Sequence, residues 1–171
     1  MQYEPIKRTL GKIFSGPLFM RKLFYFILDI VLLRTWHVKR ALKSVSRYIP
    51  YNARILDAGS GLGQYSWRMC RMNREWIITG VDIDKEQVND CNNFFIKSGF
   101  SKRVDFIAAD LVKYSEPDSF NLILSVDVME HIKDDERVFS NFFRSLQNNG
   151  FLIISTPSDL GGSDVHSEDE K

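Results

Sequence analysis

From residue 53 onward, short runs of β-branched and aliphatic residues alternate with longer stretches in which apolar positions recur every three or four residues. Five runs, at 54–58, 76–82, 104–108, 121–126 and 151–155, show little polar alternation. A strand with one wet face would alternate, so this pattern predicts strands buried on both faces. Between them, 64–72, 85–98 and 134–147 carry helical spacing. In the last of these Val138, Phe142 and Leu146 form a core-facing stripe. Asn148, Asn149 and Gly150 accept left-handed backbone angles and predict its end. The alternation of strand and helix predicts an α/β fold, a Rossmann-like open parallel sheet with helices on both faces.

Ahead of the first strand, residues 37–49 predict a helix closed by Pro50. The stretch "LFMRKLFYFILDIVLL" (18–33) is more apolar, but Arg21, Lys22 and Asp29 interrupt it. The uncharged part, 23–28, falls far short of the ~20 residues a bilayer crossing needs. No small-residue cleavage site follows it, which argues against a secretory signal. As a helix entered at Gly16-Pro17, it places Arg21, Tyr25 and Asp29 at i, i+4 and i+8 in one narrow polar stripe, with apolar residues around the rest. Its broad face then needs cover: the domain itself, an apolar substrate beneath a lid, or a membrane surface.

Composition, with 44% hydrophobic and 26% charged residues in 171, fits one globular domain. The net charge of +1 conceals an imbalance. Residues 1–50 hold ten Lys and Arg against two acids, Glu4 and Asp29, a balance of +8 that leaves −7 for the remainder. A basic arm suits an anionic partner such as lipid headgroups or nucleic acid, although a solvated helix face is the plainer account. Cys70 and Cys91 stand outside any Cys-x-x-Cys or Cys/His cluster, which predicts reduced thiols in a cytoplasmic protein and no structural metal. The chain divides into a basic, aromatic-rich helical arm (1–50), a ligand-binding domain (51–158) and a polar tail (159–171).

The chemistry concentrates after the first strand, in "ILDAGSGLGQYS" (55–66). Ligands of open α/β sheets bind at the carboxyl ends of the strands, and glycines there permit a tight turn and close approach. A dinucleotide fingerprint counted from Gly59 would require a small residue where Gln64 stands. The pattern is instead Asp57-x-Gly59-x-Gly61-x-Gly63. A carboxylate beside this loop repels a pyrophosphate and attracts an ammonium group, directly or through water.

Asp57, Gly59, Gly61 and Gly63 resemble the first motif of the class I S-adenosylmethionine-dependent methyltransferases, and "GVDIDKEQV" (80–88) resembles the second. "FIAADL" (106–111) is similar to the third, while "LILSVDVMEHI" (122–132) and "LQNNGFLIISTPS" (146–158) resemble the fourth and last shared strands of the small-molecule branch called type 11. The likeness covers about residues 40–158. It implies that Asp57, Gly59, Ser60, Gly61, Gly63, Gln64 and Ile83 border S-adenosylmethionine, with Asp82 at the ribose. It also implies Asp110 at the adenine amino group, a backbone donor from Leu111, and Ser125 near the methionine moiety. Singly, each acid could merely cap a turn. Three at successive strand ends, each matching one group of a single ligand, favour the cofactor.

The implied activity is methyl transfer to an oxygen or carbon of a small, apolar molecule, with His131 as a candidate base if the acceptor must lose a proton. His131 could equally anchor its loop. The Asn/Asp-Pro-Pro-aromatic motif of amino-directed nucleic-acid methyltransferases is absent, and no cysteine lies near "DVMEHI", so nucleic acid is disfavoured as acceptor. Two rivals stand beside this reading: a binding module without turnover, and an NAD-dependent oxidoreductase, against which Asp57 and Gln64 argue. After Pro157 only 14 residues remain, too few for the helix and antiparallel strands that normally finish the family's sheet, so the reading expects a fold without them.

Overall fold

The computed structural model describes residues 18–31 and 33–156. In order, these form helices α1 (Leu18–Val31) and α2 (Leu33–Val45), strand β1 (Arg54–Ala58), α3 (Gln64–Met72), β2 (Ile77–Asp82), α4 (Lys85–Lys97), β3 (Val104–Ala108) and β4 (Phe120–Val126). A 3-10 turn at Met129–His131, α5 (Asp135–Ser145) and β5 (Leu146–Ser155) complete them. The Gly16-Pro17 helix entry and the 159–171 tail lie outside the described residues.

The strands make one sheet in the order β3-β2-β1-β4-β5, with every neighbouring pair parallel. No antiparallel strand occurs among the described residues. The chain starts in the middle, steps outward to β3, then crosses to the other side of β1. Strand order therefore reverses between β1 and β4, where a crevice opens at the carboxyl ends. Register sets the rim of that crevice: Ala58 lies opposite both Val81 and Ser125, and Asp82 lies opposite Ala108.

The strand period of two divides the core. Ile55, Leu122 and Leu124 join one apolar cluster with Val38 and Leu42 of α2, Met69 of α3 and Phe95 of α4. Leu56, Ala58 and Ile123 join a second with Val138 and Phe142 of α5. Full burial of each large aliphatic or aromatic side chain contributes about 1.5–3 kcal/mol, which accounts for the absence of polar alternation in β1 and β4. Local polar bonds fix the helices against the sheet. Asp84 caps α4 by accepting from the Glu86 and Gln87 N–H groups. Asn92 pins the same helix to β3, donating to the Phe106 carbonyl (2.8 Å) and accepting from its N–H (2.9 Å).

Three details differ from the pattern-based expectation. Helix α2 begins at Leu33 and ends at Val45, four residues ahead of the expected span at both ends. The helix expected over 134–147 closes at Ser145, because its last carbonyls, those of Arg144 and Ser145, accept from Asp118 and Ser119 N–H at the entry to β4. Leu146 then already pairs with Phe120, and the register slips before Leu122 meets Phe151. Asn149 does adopt a left-handed angle (φ 65°), but within this irregularity of β5 and not at a helix end.

The third difference is the orientation of α1. Its polar stripe faces inward, with Arg21 and Tyr25 only 3% and 2% exposed, while Phe19 (72%), Phe26 (60%), Leu23 and Ile27 face out. Among its apolar residues, Leu18 and Phe24 pack against the core. The surface that receives α1 is itself polar, made of the Leu62 carbonyl, the Asp90 carboxylate and Cys91, and it selects the stripe able to bond with it. The side chain of Asp29 lies outside the described ones.

Candidate functional site at the carboxyl ends of the strands

The glycine loop is held from three sides. Gly59 and Ser60 donate N–H bonds to the Val81 carbonyl (2.8 and 3.0 Å), tying the turn to β2. The Gly61 N–H donates to Asp82 Oδ2 (2.8 Å), and Asp82 Oδ1 accepts from the Asp84 N–H (3.0 Å). The Leu62 carbonyl accepts from Arg21 Nη2 (2.7 Å) and from the Tyr25 hydroxyl. At Gly59, a β-carbon would stand 2.1 Å from Val128 Cγ2 in the segment after β4, so glycine is needed there for contact between the two sides of the crevice. At Gly63, which opens α3 at φ 77°, a β-carbon would press on Phe95 and Phe106 at 3.2 Å.

Asp57 sits within β1, facing the α3 layer, where Ser66 Oγ donates to its Oδ2 (2.6 Å). Burial pushes its pKa up to about 6 against the pull of Ser66, and the charge of Asp82 adds to the rise. A carboxylate kept this dry gains from a cation placed near it. Asp110 accepts from the Val112 N–H at 2.9 Å, closing the turn after β3. Leu111 is buried, and its carbonyl accepts from Asn141 Nδ2 of α5 (3.0 Å). Ile83, 74% exposed, stands beside Asp82 as an apolar surface at the rim.

Ser60 Oγ and Ser125 Oγ are buried and have no hydrogen-bond partner. An unpaired buried hydroxyl costs about 1–3 kcal/mol, which a polar ligand in the crevice would offset. After Ser125 the backbone is strained: Asp127 takes φ 56°, a left-handed angle that non-glycine residues adopt at a cost of about 1–3 kcal/mol. His131 follows in the 3-10 turn and is exposed, and its imidazole has no hydrogen bond among the described residues. Gln64 opens α3 and lines a cleft toward α1. The fold thus collects Asp57, Asp82, Asp110, the glycine loop and Ser125 at one end of the sheet. Among the described residues no group of three or more His, Cys, Asp or Glu is placed to hold a metal ion.

Sequence reading missed the inner strap of the loop. Arg21 also pairs with Asp90 and donates to Cys91 Sγ (3.0 Å), and its guanidinium lies 4.6 Å from the Phe94 ring centroid. Burial works against this charge, yet Tyr25, Cys91 and Asp90 together leave its pKa above the ordinary arginine value. Cys91 itself is pushed up to about 12 by burial and remains a thiol. The available signal was the narrowness of the polar stripe on an apolar helix, which marks a seam between packed surfaces as readily as a wet face.

A parallel sheet of this order, with a glycine loop at its switch point and acids at successive strand ends, defines a Rossmann-like cofactor-binding domain. Residues 50–171 match the family described as Methyltransferase domain, and the chain belongs to that family, the class I methyltransferases that use S-adenosylmethionine. The 27-O-demethylrifamycin SV methyltransferase of Amycolatopsis mediterranei is 31% identical over 114 residues, covering 63% of this chain and 42% of that protein. The phosphoethanolamine N-methyltransferase 2 of Haemonchus contortus, solved with S-adenosyl-L-methionine, superposes with a TM-score of 0.60 at 28% identity, over 68% of this chain and 27% of the other. The cyclase SpnF superposes at 0.61 with 27% identity, over 67% and 43%. The chain therefore spans less than half the length of these relatives.

Proposed function

We propose that this chain binds S-adenosylmethionine at the carboxyl ends of β1, β2 and β3 and transfers its methyl group to an oxygen or carbon of a small, apolar acceptor. The observation that supports the reading is Asp82 at the end of β2 tying down the Gly61 N–H, with Asp57 near the end of β1 and Asp110 just after β3 on the two neighbouring strands. Asp57 is the acid for the ligand's ammonium group, through Ser66 or water, and Asp82 retains lone pairs for two ribose hydroxyls beside those given to Gly61 and Asp84. Ile83 supplies an apolar face for the base, Asp110 accepts from its amino group, and Leu111 donates from the backbone. Ser60, Ser125, Gly59, Gly61, Gly63 and Gln64 line the remainder.

Bound there, S-adenosylmethionine supplies a methyl group already activated by a sulfonium. The protein's task is alignment, and holding an acceptor in line can contribute on the order of 7–11 kcal/mol. His131, exposed in the 3-10 turn after β4, takes the proton of a hydroxyl or activated carbon acceptor. We assign residues 51–158 to this domain, 159–171 to a tail, and 1–50 to an arm that meets a membrane surface peripherally. The arm's excess of cations and the outward apolar face of α1 support that contact. No described helix is long and apolar enough to cross a membrane. Two free, buried cysteines support a reducing compartment, the cytoplasm.

Calorimetric titration with S-adenosylmethionine, S-adenosylhomocysteine and NAD tests the cofactor assignment. Binding of the first two and not the third is expected, and Asp82→Ala should weaken both by at least about tenfold, the loss of one charge-assisted bond. Unchanged binding in Asp82→Ala would refute the ribose assignment. Turnover of a labelled methyl donor over lipid and quinol extracts tests the transfer. The resemblance to a cyclase keeps a second reading in view, a domain that holds the cofactor without methyl turnover, and it predicts binding with no transfer to any extract.

A further inference from the structure

Between α1 and α3 the surface opens into a cleft of about 330 Å³, whose described lining includes Gln64, which the proposed function also places beside the cofactor, and Lys22, Arg68 and Arg71, with no acid. Trp67 lies among them, with Lys22 Nζ 5.4 Å and Arg71 Cζ 5.5 Å from its ring centroid. Two cations gathered on one indole repel each other, and an anion between or beside them relieves that repulsion.

The cleft is bordered by apolar surface. Phe26 and Met72 line it and are exposed, and Phe19, Leu23 and Ile27 extend the same outward face of α1. Further along, α2 exposes Trp36, with Arg40 Cζ 5.8 Å from its ring centroid. Cations behind a ridge of aromatic and aliphatic side chains match an anionic bilayer, in which phosphate lies above hydrocarbon. A soluble phosphate compound or a nucleic acid would use the cations and leave the ridge in water.

We propose that the Lys22–Arg68–Arg71 cleft binds the phosphate of an anionic phospholipid headgroup, with the Phe19–Leu23–Phe26–Ile27 face of α1 seated at the acyl boundary. This rests on the membrane reading of the arm and adds a specific headgroup site to it. Each cation near an anionic surface strengthens binding by about fivefold, so loss of two should be plain in a sedimentation assay.

The test sediments the full chain with vesicles of phosphatidylcholine alone or with added phosphatidylglycerol, at low and high salt. Wild type should bind the anionic vesicles and weaken with salt. Lys22→Glu with Arg71→Glu should weaken binding at least about tenfold, while S-adenosylhomocysteine affinity stays at the wild-type value and reports an intact fold. If charge reversal unfolds the chain, Lys22→Gln with Arg71→Gln replaces it. Phe19→Ser with Phe26→Ser should lower affinity and keep the salt dependence. A charge variant that binds anionic vesicles like wild type overturns the cleft and leaves the arm's membrane contact standing. No binding to any vesicle by wild type overturns both. Equal affinity for glycerol phosphate, or for a single-stranded oligonucleotide, overturns the lipid assignment in favour of that ligand.

Discussion

Asp57 holds opposite consequences for the empty fold and for the bound one. Its pKa rises from 3.8 to about 6, chiefly through burial. An acid whose pKa rises on folding keeps its proton more readily in the folded state, so its contribution to stability is full below 3.8 and is lost as pH climbs through about 6. A ligand ammonium group prefers the ionised form. S-adenosylhomocysteine affinity, followed by calorimetry, should therefore weaken as pH falls through that value, by roughly tenfold one unit below it. Asp57→Asn should bind weakly and flatten the profile, and a wild-type profile without that bend would remove Asp57 from ammonium recognition. The glycines separate equally well. Gly59→Ala brings a β-carbon onto Val128 and should cost about 3–4 kcal/mol in urea melts, from overpacking plus left-handed strain. Gly61→Ala meets only Gln87 Oε1 at 3.8 Å and should cost the strain alone, about 1–2 kcal/mol. Equal losses would mean that contact across the crevice does not set the need for Gly59.

At the scale of elements, α1 acts as a strap on the glycine loop. Arg21 joins Leu62, Asp90, Cys91 and Tyr25 in one buried network, and Asp90 is only partly covered, which moderates the penalty for leaving it alone. Arg21→Met should destabilise by about 3 kcal/mol, the lower end for a broken buried pair. It should also weaken S-adenosylhomocysteine binding more than Phe142→Leu, which loosens the far side of the sheet without touching the loop. If both variants bind alike, α1 stabilises the fold and does not position the loop. Helix and strand positions were legible because periodicity is a local property of the chain. Their ends were less so: α5 stops at Ser145 because Asp118 and Ser119 supply donors from another part of the chain.

For the molecule as a whole, the sheet order places the crevice, and ligand linkage tests it without mutation. S-adenosylhomocysteine at a hundredfold over its Kd should stabilise by about 2.7 kcal/mol, raising Tm by roughly 5–10 °C for a domain of this size. NAD should leave Tm unchanged, and a comparable shift with NAD would favour a dinucleotide site instead.

Sequence alone determined the strand–helix alternation, the two-sided burial of the central strands and the acids at their ends, because each follows from residue types at short spacing. The resemblance carried by the motifs at 55–66, 80–88 and 106–111 named Asp57, Asp82 and Asp110 as the acids of the expected site. Only the tertiary structure decided which way α1 faces, that Arg21 and Tyr25 grip the Leu62 carbonyl, and that Gly59 must yield room to Val128. An amphipathic pattern states that a helix has two faces, and the partner waiting for each face is assembled from residues far away in the chain. Here that partner was a carbonyl, a carboxylate and a thiol, so the polar stripe went inward.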